Sequence, residues 1–243
     1  MTPDALAAVM EATWPCARTH RVPGFTLRDG AGGGQRVSAA TSDPGWTTGH
    51  LSQAESAMRG VDQHPLFLIR DGDAALDAAL QMRGYAIIDP VIAYAAAAAA
   101  LPAAPWMTTF PHWPPMAVAL DIWATGGITA PRLAVMHRAC GPKTAILARV
   151  GDRAAGVAFV ALHGPIAMLH ALEVAPTHRR QGSAQNILSA AAAWTIANGG
   201  TSLTLVVTAA NTGARALYQN CGMRSVGQYH YRALPADPAR HQP

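Results

Sequence analysis

Residues 172–188 read LEVAPTHRRQGSAQNIL, and this stretch decides how the second half of the chain folds. An apolar run over 166–174 predicts a strand that Pro176 ends, and the alanine-rich run from Gly182 to about Ala197 predicts the helix that follows. The first N–H groups of a helix lack partners inside it, and the helix dipole adds positive charge there. The sequence therefore predicts an anion site at this junction, with an ordinary basic helix start as the alternative.

The residue types at the junction favour a phosphate ligand. Gly182 would let a pyrophosphate approach the backbone, and the small Ser183 and Ala184 leave room around it. Arg179 and Arg180 add positive charge to the same turn. We therefore expect this junction to bind a pyrophosphate.

The pattern on both sides of the junction predicts a layered α/β (α+β) domain with a mixed sheet. Two short helices come first, and three strands in a meander follow, with a hairpin turn at Gly151-Asp152. A strand, a helix that ends at Gly222 and a last strand come after the long helix. The predicted helices cover 116–123, 131–139 and 212–221, and the other predicted strands cover 144–150, 155–162, 202–208 and 224–232.

The first half of the chain gives weaker signals and one internal repeat. The segment LDAALQMRGYAIID resembles ARALYQNCGMRSVG, since each predicts a helix, a glycine stop and a strand. Leu80 stands in the first copy where Tyr218 stands in the second. Helices are predicted over 4–13 and 74–83, strands over 65–70 and 85–93, and a loop over 30–34.

A proline-rich stretch separates the two halves. Residues 101–115 contain five prolines, which argue against the interior of a regular helix or strand. The predicted organisation is an N-terminal domain over 1–100, a connector over 101–115 and a second domain over 116–243.

Composition narrows the classes of function. Half of the 243 residues are hydrophobic and 13% are charged, which is ample for a buried core. The net charge of +4 is scattered, and Lys143 is the only lysine, so we expect no nucleic-acid partner. Three widely spaced cysteines indicate neither a disulfide framework nor a metal site. The N-terminus lacks the basic start of a signal peptide, and the apolar run 91–101 is too short to span a membrane, so a cytoplasmic protein is expected.

Two motifs resemble one family. Arg179, Gly182 and Ala184 satisfy the pattern (Arg/Gln)-x-x-Gly-x-(Gly/Ala), the acetyl-CoA-binding motif of the GCN5-related N-acetyltransferases (GNAT). Residues 211–223 resemble the family's N-x-x-A-x-x-L-Y-x-x-x-G-F signature, with Met223 in place of the aromatic residue. The resemblance covers roughly residues 116–232 and implies a mixed, mostly antiparallel sheet flanked by helices. The N-terminal half resembles at most a degenerate copy of the same fold.

The resemblance also implies a role for each matching residue. The cofactor would be acetyl-CoA, and Tyr218 would donate a proton to the departing CoA thiolate. A strand amide near Val174 would stabilise the oxyanion. Cofactor contacts would come from the backbone near Leu172 and Val174, from Arg179, Arg180, Gln181, Gly182, Ser183 and Ala184, and from Asn211 and Ala214.

The general base is left open between two residues of one strand. Strand alternation puts His170 and Glu173 on opposite faces unless a bulge intervenes. Glu173 could accept the amine proton through water, or could simply pair with an arginine. His170 has apolar neighbours, which favours a hydrogen-bonded core histidine over a catalytic one.

These features predict an acetyl-CoA-dependent N-acetyltransferase in which a primary amine attacks the thioester directly. The alternative is a non-catalytic protein that binds acyl-CoA and regulates. The acceptor, a small molecule or a peptide terminus, is not determined by the sequence, and Trp106 and Trp113 either line its cleft or pack the connector. The oligomeric state also stays open, with a homodimer among the options.

Overall fold

A computed structural model of the protein describes residues 1–235. The helices in this range are α1 (Pro3–Thr13), α2 (Thr48–Gly60), α3 (Ala74–Met82), α4 (Ala117–Thr125), α5 (Ala130–Arg138), α6 (Ser183–Ala197) and α7 (Thr212–Asn220). The strands are β1 (Arg18–Val22), β2 (Phe25–Asp29), β3 (Thr41–Ser42), β4 (Leu66–Arg70), β5 (Ala86–Ala97), β6 (Thr109–His112), β7 (Lys143–Val150), β8 (Arg153–His163), β9 (Ile166–Val174), β10 (Ser202–Thr208) and β11 (Arg224–Ala233).

The chain forms two compact units that differ from the predicted division at 101–115. The first unit comprises Met1–Pro15 and Ile92–Gly227, and the second comprises Cys16–Val91 and Gln228–Pro243. One boundary lies between α1 and β1, and the other two lie inside β5 and β11. Each unit therefore gathers segments that are distant in the chain. Residues 236–243, the end of the predicted 116–243 domain, lie outside the described residues.

The first unit is a mixed, mostly antiparallel sheet with helices on both faces. Its strands run in the order β5-β10-β9-β8-β7-β6. The predicted meander is confirmed, since β7, β8 and β9 pair antiparallel, and β10 returns parallel to β9. Helix α6 packs its alanine-rich side on one face, against alternate residues such as Ala158 and Val160. Helices α1 and α4 contact β8 and β9, and Trp14, which follows α1, contacts Phe159 on the opposite face of β8.

The prediction that the proline-rich connector contains no strand is wrong at residues 109–112. Strand β6 pairs antiparallel with β7, and Pro111 lies opposite Ile146. β6 is the last strand of its sheet, where one side of the backbone needs no hydrogen-bonded neighbour. An edge strand can therefore contain a proline, which lacks an N–H.

The second unit has a small core of its own. Strands β1, β2 and β3 form an antiparallel sheet, and β4 pairs antiparallel with β11. Phe25, Leu51, Phe67 and Leu76 meet in a hydrophobic cluster among strands and helices. The predicted strand over 65–70 and helix over 74–83 are confirmed to within one residue at each end. Strands β1 to β3 and helix α2 were not predicted.

The internal repeat corresponds to two similar helix-to-strand turns. Helix α3 leads to Gly84 with φ of 81°, and α7 leads to Gly222 with φ of 82°. Both glycines adopt the left-handed conformation that commonly ends a helix, and a strand follows each. Within residues 1–235, no helix is both long and apolar enough to cross a membrane.

Candidate active site

A β-bulge in β9 sets the direction of the side chains at its end. Val157 of β8 lies opposite Glu173, whereas Phe159 lies opposite His170, so β9 has one residue more than β8 between these pairs. Ala171 in this bulge has a positive φ of 51°. Cross-strand partners share a face, so the bulge brings His170 and Glu173 to the same face of the sheet. The bulge that the sequence left open is therefore present.

Trp123 of α4 holds this bulge from the same face. Its side chain is fully buried, and its Nε1–H donates a hydrogen bond to the Ala171 carbonyl oxygen at 2.8 Å. The indole therefore fixes the peptide group that joins Ala171 to Leu172.

His170 lies in the core, where α1 covers it. Its Nε2 is 2.8 Å from Thr13 Oγ1, and its ring stacks on Trp14 with centroids 4.9 Å apart. The Thr13 hydroxyl has a single proton, which it donates to the Val9 carbonyl oxygen at 2.5 Å. His170 Nε2 must then be the donor to Thr13, which defines its tautomer. These contacts support the reading of His170 as a hydrogen-bonded core histidine.

Strands β9 and β10 separate beyond a short paired region. Their parallel pairing runs from Ser202 opposite Ile166 to Leu205 opposite Leu169. In the part of the chain that the structure describes, the two strands do not pair beyond this point, although β9 continues to Val174. The separated ends leave one backbone edge of β9 open to a ligand that could pair with it like an added strand. Leu172 and Val174 are half-buried at this edge.

The turn between β9 and α6 has an unusual backbone. Arg180 and Gly182 have positive φ values of 62° and 82°, and α6 begins at Ser183, one residue after the predicted start. A methyl group on Gly182 would meet nothing within 4 Å, so the space in front of this residue is open. Arg179 and Gln181 are exposed beside it.

One buried polar atom in this turn has no partner. Ser183 is 2% exposed, and its Oγ forms no hydrogen bond with any residue in the described range. A buried hydroxyl without a partner costs free energy, and a ligand oxygen could accept its proton. The hydroxyl, the free amides at the helix start and the open space fit a pyrophosphate.

Asn211 and Ala214 lie at the start of α7. The Asn211 side-chain oxygen accepts a hydrogen bond from the Ala214 N–H at 3.1 Å and so caps this helix. Asn211 itself is exposed. Its oxygen therefore already has a structural role, whatever else the residue contacts.

Tyr218 is buried on the α6 side of the sheet. It belongs to the same cluster as Leu169 and Leu205, the last paired residues of β9 and β10, and its ring centroid is 5.9 Å from that of Tyr94. Burial, with a smaller contribution from Cys221, raises the pKa of Tyr218 to about 12. The phenol is therefore protonated at neutral pH. Since Leu169 and His170 point to opposite faces, Tyr218 and Glu173 lie on opposite sides of β9.

A cleft opens on the α4 side, beside Glu173. It has a volume of ≈ 200 Å³. The Glu173 carboxylate is 3.6 Å from Arg179 Nη2 at one wall, and Arg179 Nε also donates to the Val174 carbonyl oxygen at 3.3 Å. Glu173 thus makes the arginine pair that was one of its two predicted roles. The residues that line the cleft are Val118, Asp121, Ile122, Thr125, Gly126, Glu173, Ala175, Pro176 and Arg179.

Gly126, just after α4, determines the space available to Glu173. A methyl group at this position would lie 2.6 Å from Glu173 Cδ, which no real contact tolerates. The absence of a side chain on Gly126 therefore lets the Glu173 carboxylate lie against the end of α4.

The predicted tryptophans do not line this cleft. Trp113 packs on Phe159 and His137, and the Lys143 ammonium lies 5.0 Å above its ring. Trp106 is 89% exposed. Sequence reasoning missed Asp121 and the hydrogen bond of Trp123 to the bulge; the available signal for Asp121 is that it is the only charged residue of α4.

Comparisons with known proteins agree with the fold. A sequence model described as the "Acetyltransferase (GNAT) family" matches residues 111–223. No curated protein sequence matches the chain.

Several solved structures share the fold. A GCN5-related N-acetyltransferase from Kribbella flavida is 16% identical with a TM-score of 0.75, and the match covers 97% of this chain and 96% of that one. A tandem GNAT protein from the clavulanic acid biosynthesis pathway is 15% identical with a TM-score of 0.63, over 95% and 87% of the two chains. A GCN5-related N-acetyltransferase from Sphaerobacter thermophilus is 13% identical with a TM-score of 0.63, over 80% and 71%. Residues 111–223 are a domain of the GNAT acetyltransferase family.

Proposed function

We propose that the protein transfers the acetyl group of acetyl-CoA to a primary amine. The observation that carries the proposal is the buried Ser183 hydroxyl without a partner, at a helix start that adjoins the separated ends of β9 and β10. A diphosphate and an extended amide-containing arm would satisfy these two features together. Acetyl-CoA has both, and when bound it supplies an acyl group activated as a thioester.

The chain would hold the cofactor mainly through its backbone. The amides of Gln181 to Ala184 would bind the pyrophosphate, with Arg179 and Arg180 adding charge. The open edge of β9 near Leu172 and Val174 would pair with the pantetheine arm. Asn211 and Ala214 would contact the cofactor on the α7 side.

Binding of the pyrophosphate would also change the contacts of Arg179. Its guanidinium now pairs with Glu173 and with the Val174 carbonyl oxygen. A guanidinium that turns to the phosphates would release both groups, one for the amine proton and one for the pantetheine arm. This exposed ion pair is weak enough to exchange readily, since such pairs contribute about 0–1 kcal/mol.

Two residues would move protons on opposite sides of β9. Acylation needs a neutral amine, so Glu173 Oε would accept the proton that the attacking ammonium loses, through a water molecule. As the amine nitrogen replaces sulfur on the acyl carbon, Tyr218 Oη would deliver its proton to the departing sulfur, and the second proton that the nitrogen loses would return to the phenolate through water. The raised pKa of Tyr218, about 12, keeps that proton available throughout the neutral range. An amide near Val174 would stabilise charge on the carbonyl oxygen.

The test separates binding from turnover. Titration calorimetry with CoA should show binding in the wild type, and Ser183→Ala should weaken it by at least about tenfold, because one hydrogen bond to a charged group is lost. Release of free thiol from acetyl-CoA is then measured against a panel of small amines and peptide amino termini.

The outcome distinguishes a transferase from a protein that only binds acyl-CoA. Thiol release that depends on an amine supports the transferase. Binding of CoA without release against any amine would favour the acyl-CoA-binding, regulatory alternative. A protein that fails to bind CoA at all would refute both.

A further inference from the structure

The cleft between α4 and the end of β9 has a negative charge that the chain itself does not balance. Arg179 pairs with Glu173 at its wall, but Asp121 forms no ion pair with any residue in the described range. Asp121 is exposed, and it is the only charged residue of its helix. The C-terminal end of α4, at Thr125, also lines the cleft and adds the negative end of a helix dipole. The Asp121 carboxylate and the C-terminal end of α4 both favour a cation in the cleft.

The same cleft has an apolar wall. Val118 and Ile122 are four residues apart and therefore share one face of α4. Pro176 lines the cleft as well, and Val118 keeps 39% of its surface exposed. An exposed valine beside a carboxylate suits a ligand that combines methylene groups with a positive charge, because both kinds of group would be satisfied there.

We propose, on the basis of the proposed acyl transfer, that the acceptor is a primary amine with a second positive charge on a short aliphatic chain, and that Asp121 binds this second charge. The amine to be acylated lies at Glu173, which takes its proton, and the methylene groups lie on Val118 and Ile122. The second ammonium remains protonated beside Asp121 throughout. The small cleft volume, ≈ 200 Å³, favours a compact diamine over a peptide.

Matched acceptors test the role of the second charge. Putrescine and butylamine have the same carbon chain and the same reacting amine, but only putrescine has a second ammonium. We expect the wild type to prefer putrescine by about fivefold in kcat/KM, measured by thiol release from acetyl-CoA. Asp121→Asn should remove most of this preference. Asp152→Asn, in the exposed turn after β7, is the matched control and should retain it.

The ratio of the two acceptors is the informative quantity, since a general loss of folding would lower both rates together. A wild-type preference no greater than the twofold that the two equivalent ends of putrescine supply would overturn the proposal, as would an unchanged ratio in Asp121→Asn. A preference that moves with ionic strength in the wild type but not in Asp121→Asn would support it.

A binding measurement separates this proposal from acyl transfer itself. Calorimetry with putrescine is performed on the wild type in the presence of CoA. Binding that is about two- to fivefold weaker in Asp121→Asn supports the cation site even if no thiol is released. Absence of measurable binding, or equal binding by both proteins, overturns the site, whereas failure of thiol release with every amine refutes the transferase alone.

Discussion

Substitution of Trp123 by phenylalanine tests whether the bulge in β9 organises the site. Trp123 is fully buried, and its Nε1–H donates to the carbonyl oxygen of Ala171 at 2.8 Å. Ala171 has a φ of 51°, a conformation that a residue other than glycine adopts only when its surroundings impose it. Trp123→Phe keeps an aromatic ring in the pocket but removes the donor.

The expected effect on stability follows from that one bond. A partly buried carbonyl that loses its partner costs about 1–3 kcal/mol. The smaller ring adds a further loss of packing, so the free energy of unfolding should fall by at least about 2 kcal/mol. For a chain of this size, that corresponds to a fall in Tm of roughly 4–8 °C.

The effect on catalysis should exceed the effect on folding. If the left-handed conformation at Ala171 relaxes, Glu173 loses its alignment with Val157 and turns away from the cleft. A displacement of about 1 Å at a reacting group can lower turnover by about 100-fold. We therefore expect kcat per folded molecule to fall by about that factor, with a smaller change in the KM for acetyl-CoA.

The assay combines thermal unfolding with turnover on the same preparations. Trp194→Phe removes the same atoms from a half-buried position on α6 and serves as the control for lost volume. An unchanged kcat in Trp123→Phe, together with the expected loss of stability, would show that the indole only supports the fold. Equal losses of kcat in both variants would refute the reasoning as well.

Three further substitutions have definite expectations. Tyr218→Phe should lower turnover by about 100-fold or more and leave the Kd for CoA nearly unchanged by calorimetry, and equal turnover would remove Tyr218 from the proton transfer. Because the pKa of Tyr218 is raised to about 12 in the folded protein, its contribution to stability is full below about pH 10 and is lost as the pH rises through about 12. Above about pH 10, the free energy of unfolding should therefore fall less steeply with pH in Tyr218→Phe than in the wild type. Gly126→Ala should displace the Glu173 carboxylate, whose Cδ would lie 2.6 Å from the new methyl group, so we expect kcat to fall while CoA binding persists. Hydrogen bonds from Arg232 and His230 hold the pKa of Asp77 at about 2, so its contribution is present above about pH 4 and is lost as the pH falls to about 2. Asp77→Asn should therefore lower the free energy of unfolding at neutral pH by about 2 kcal/mol and flatten its dependence on acid, as measured by urea titrations.

The parts of the fold that were predictable have strong local signals. The long alanine-rich helix, the meander and the final strand each have the periodicity and the turn residues that determine such elements. The start of α6 was placed within one residue because a proline ends the preceding strand and a glycine precedes the helix. The unpredicted strands β1 to β3 are two to five residues long. β1 is largely exposed, and β2 alternates apolar and polar residues over Phe25 to Leu27 only, so the local signals are too short to define strands.

The site was less predictable because its geometry depends on contacts distant in the chain. Strand alternation alone placed His170 and Glu173 on opposite faces, and only a bulge at a residue that is not glycine brings them together. The contact of His170 with Thr13 joins residues 157 positions apart. No local pattern indicates that an N-terminal helix covers this strand, or that Trp123 reaches the bulge.

Glu173 connects the features of the site that were described separately. The bulge at Ala171 determines its face, Gly126 leaves space for its carboxylate, and Arg179 of the turn before α6 pairs with it. Arg179 uses Nε for the Val174 carbonyl oxygen and Nη2 for Glu173, so a turn of the guanidinium toward the proposed pyrophosphate would weaken both contacts. If acetyl-CoA binds at this turn as proposed, its binding and the acceptance of a proton by Glu173 should therefore be coupled.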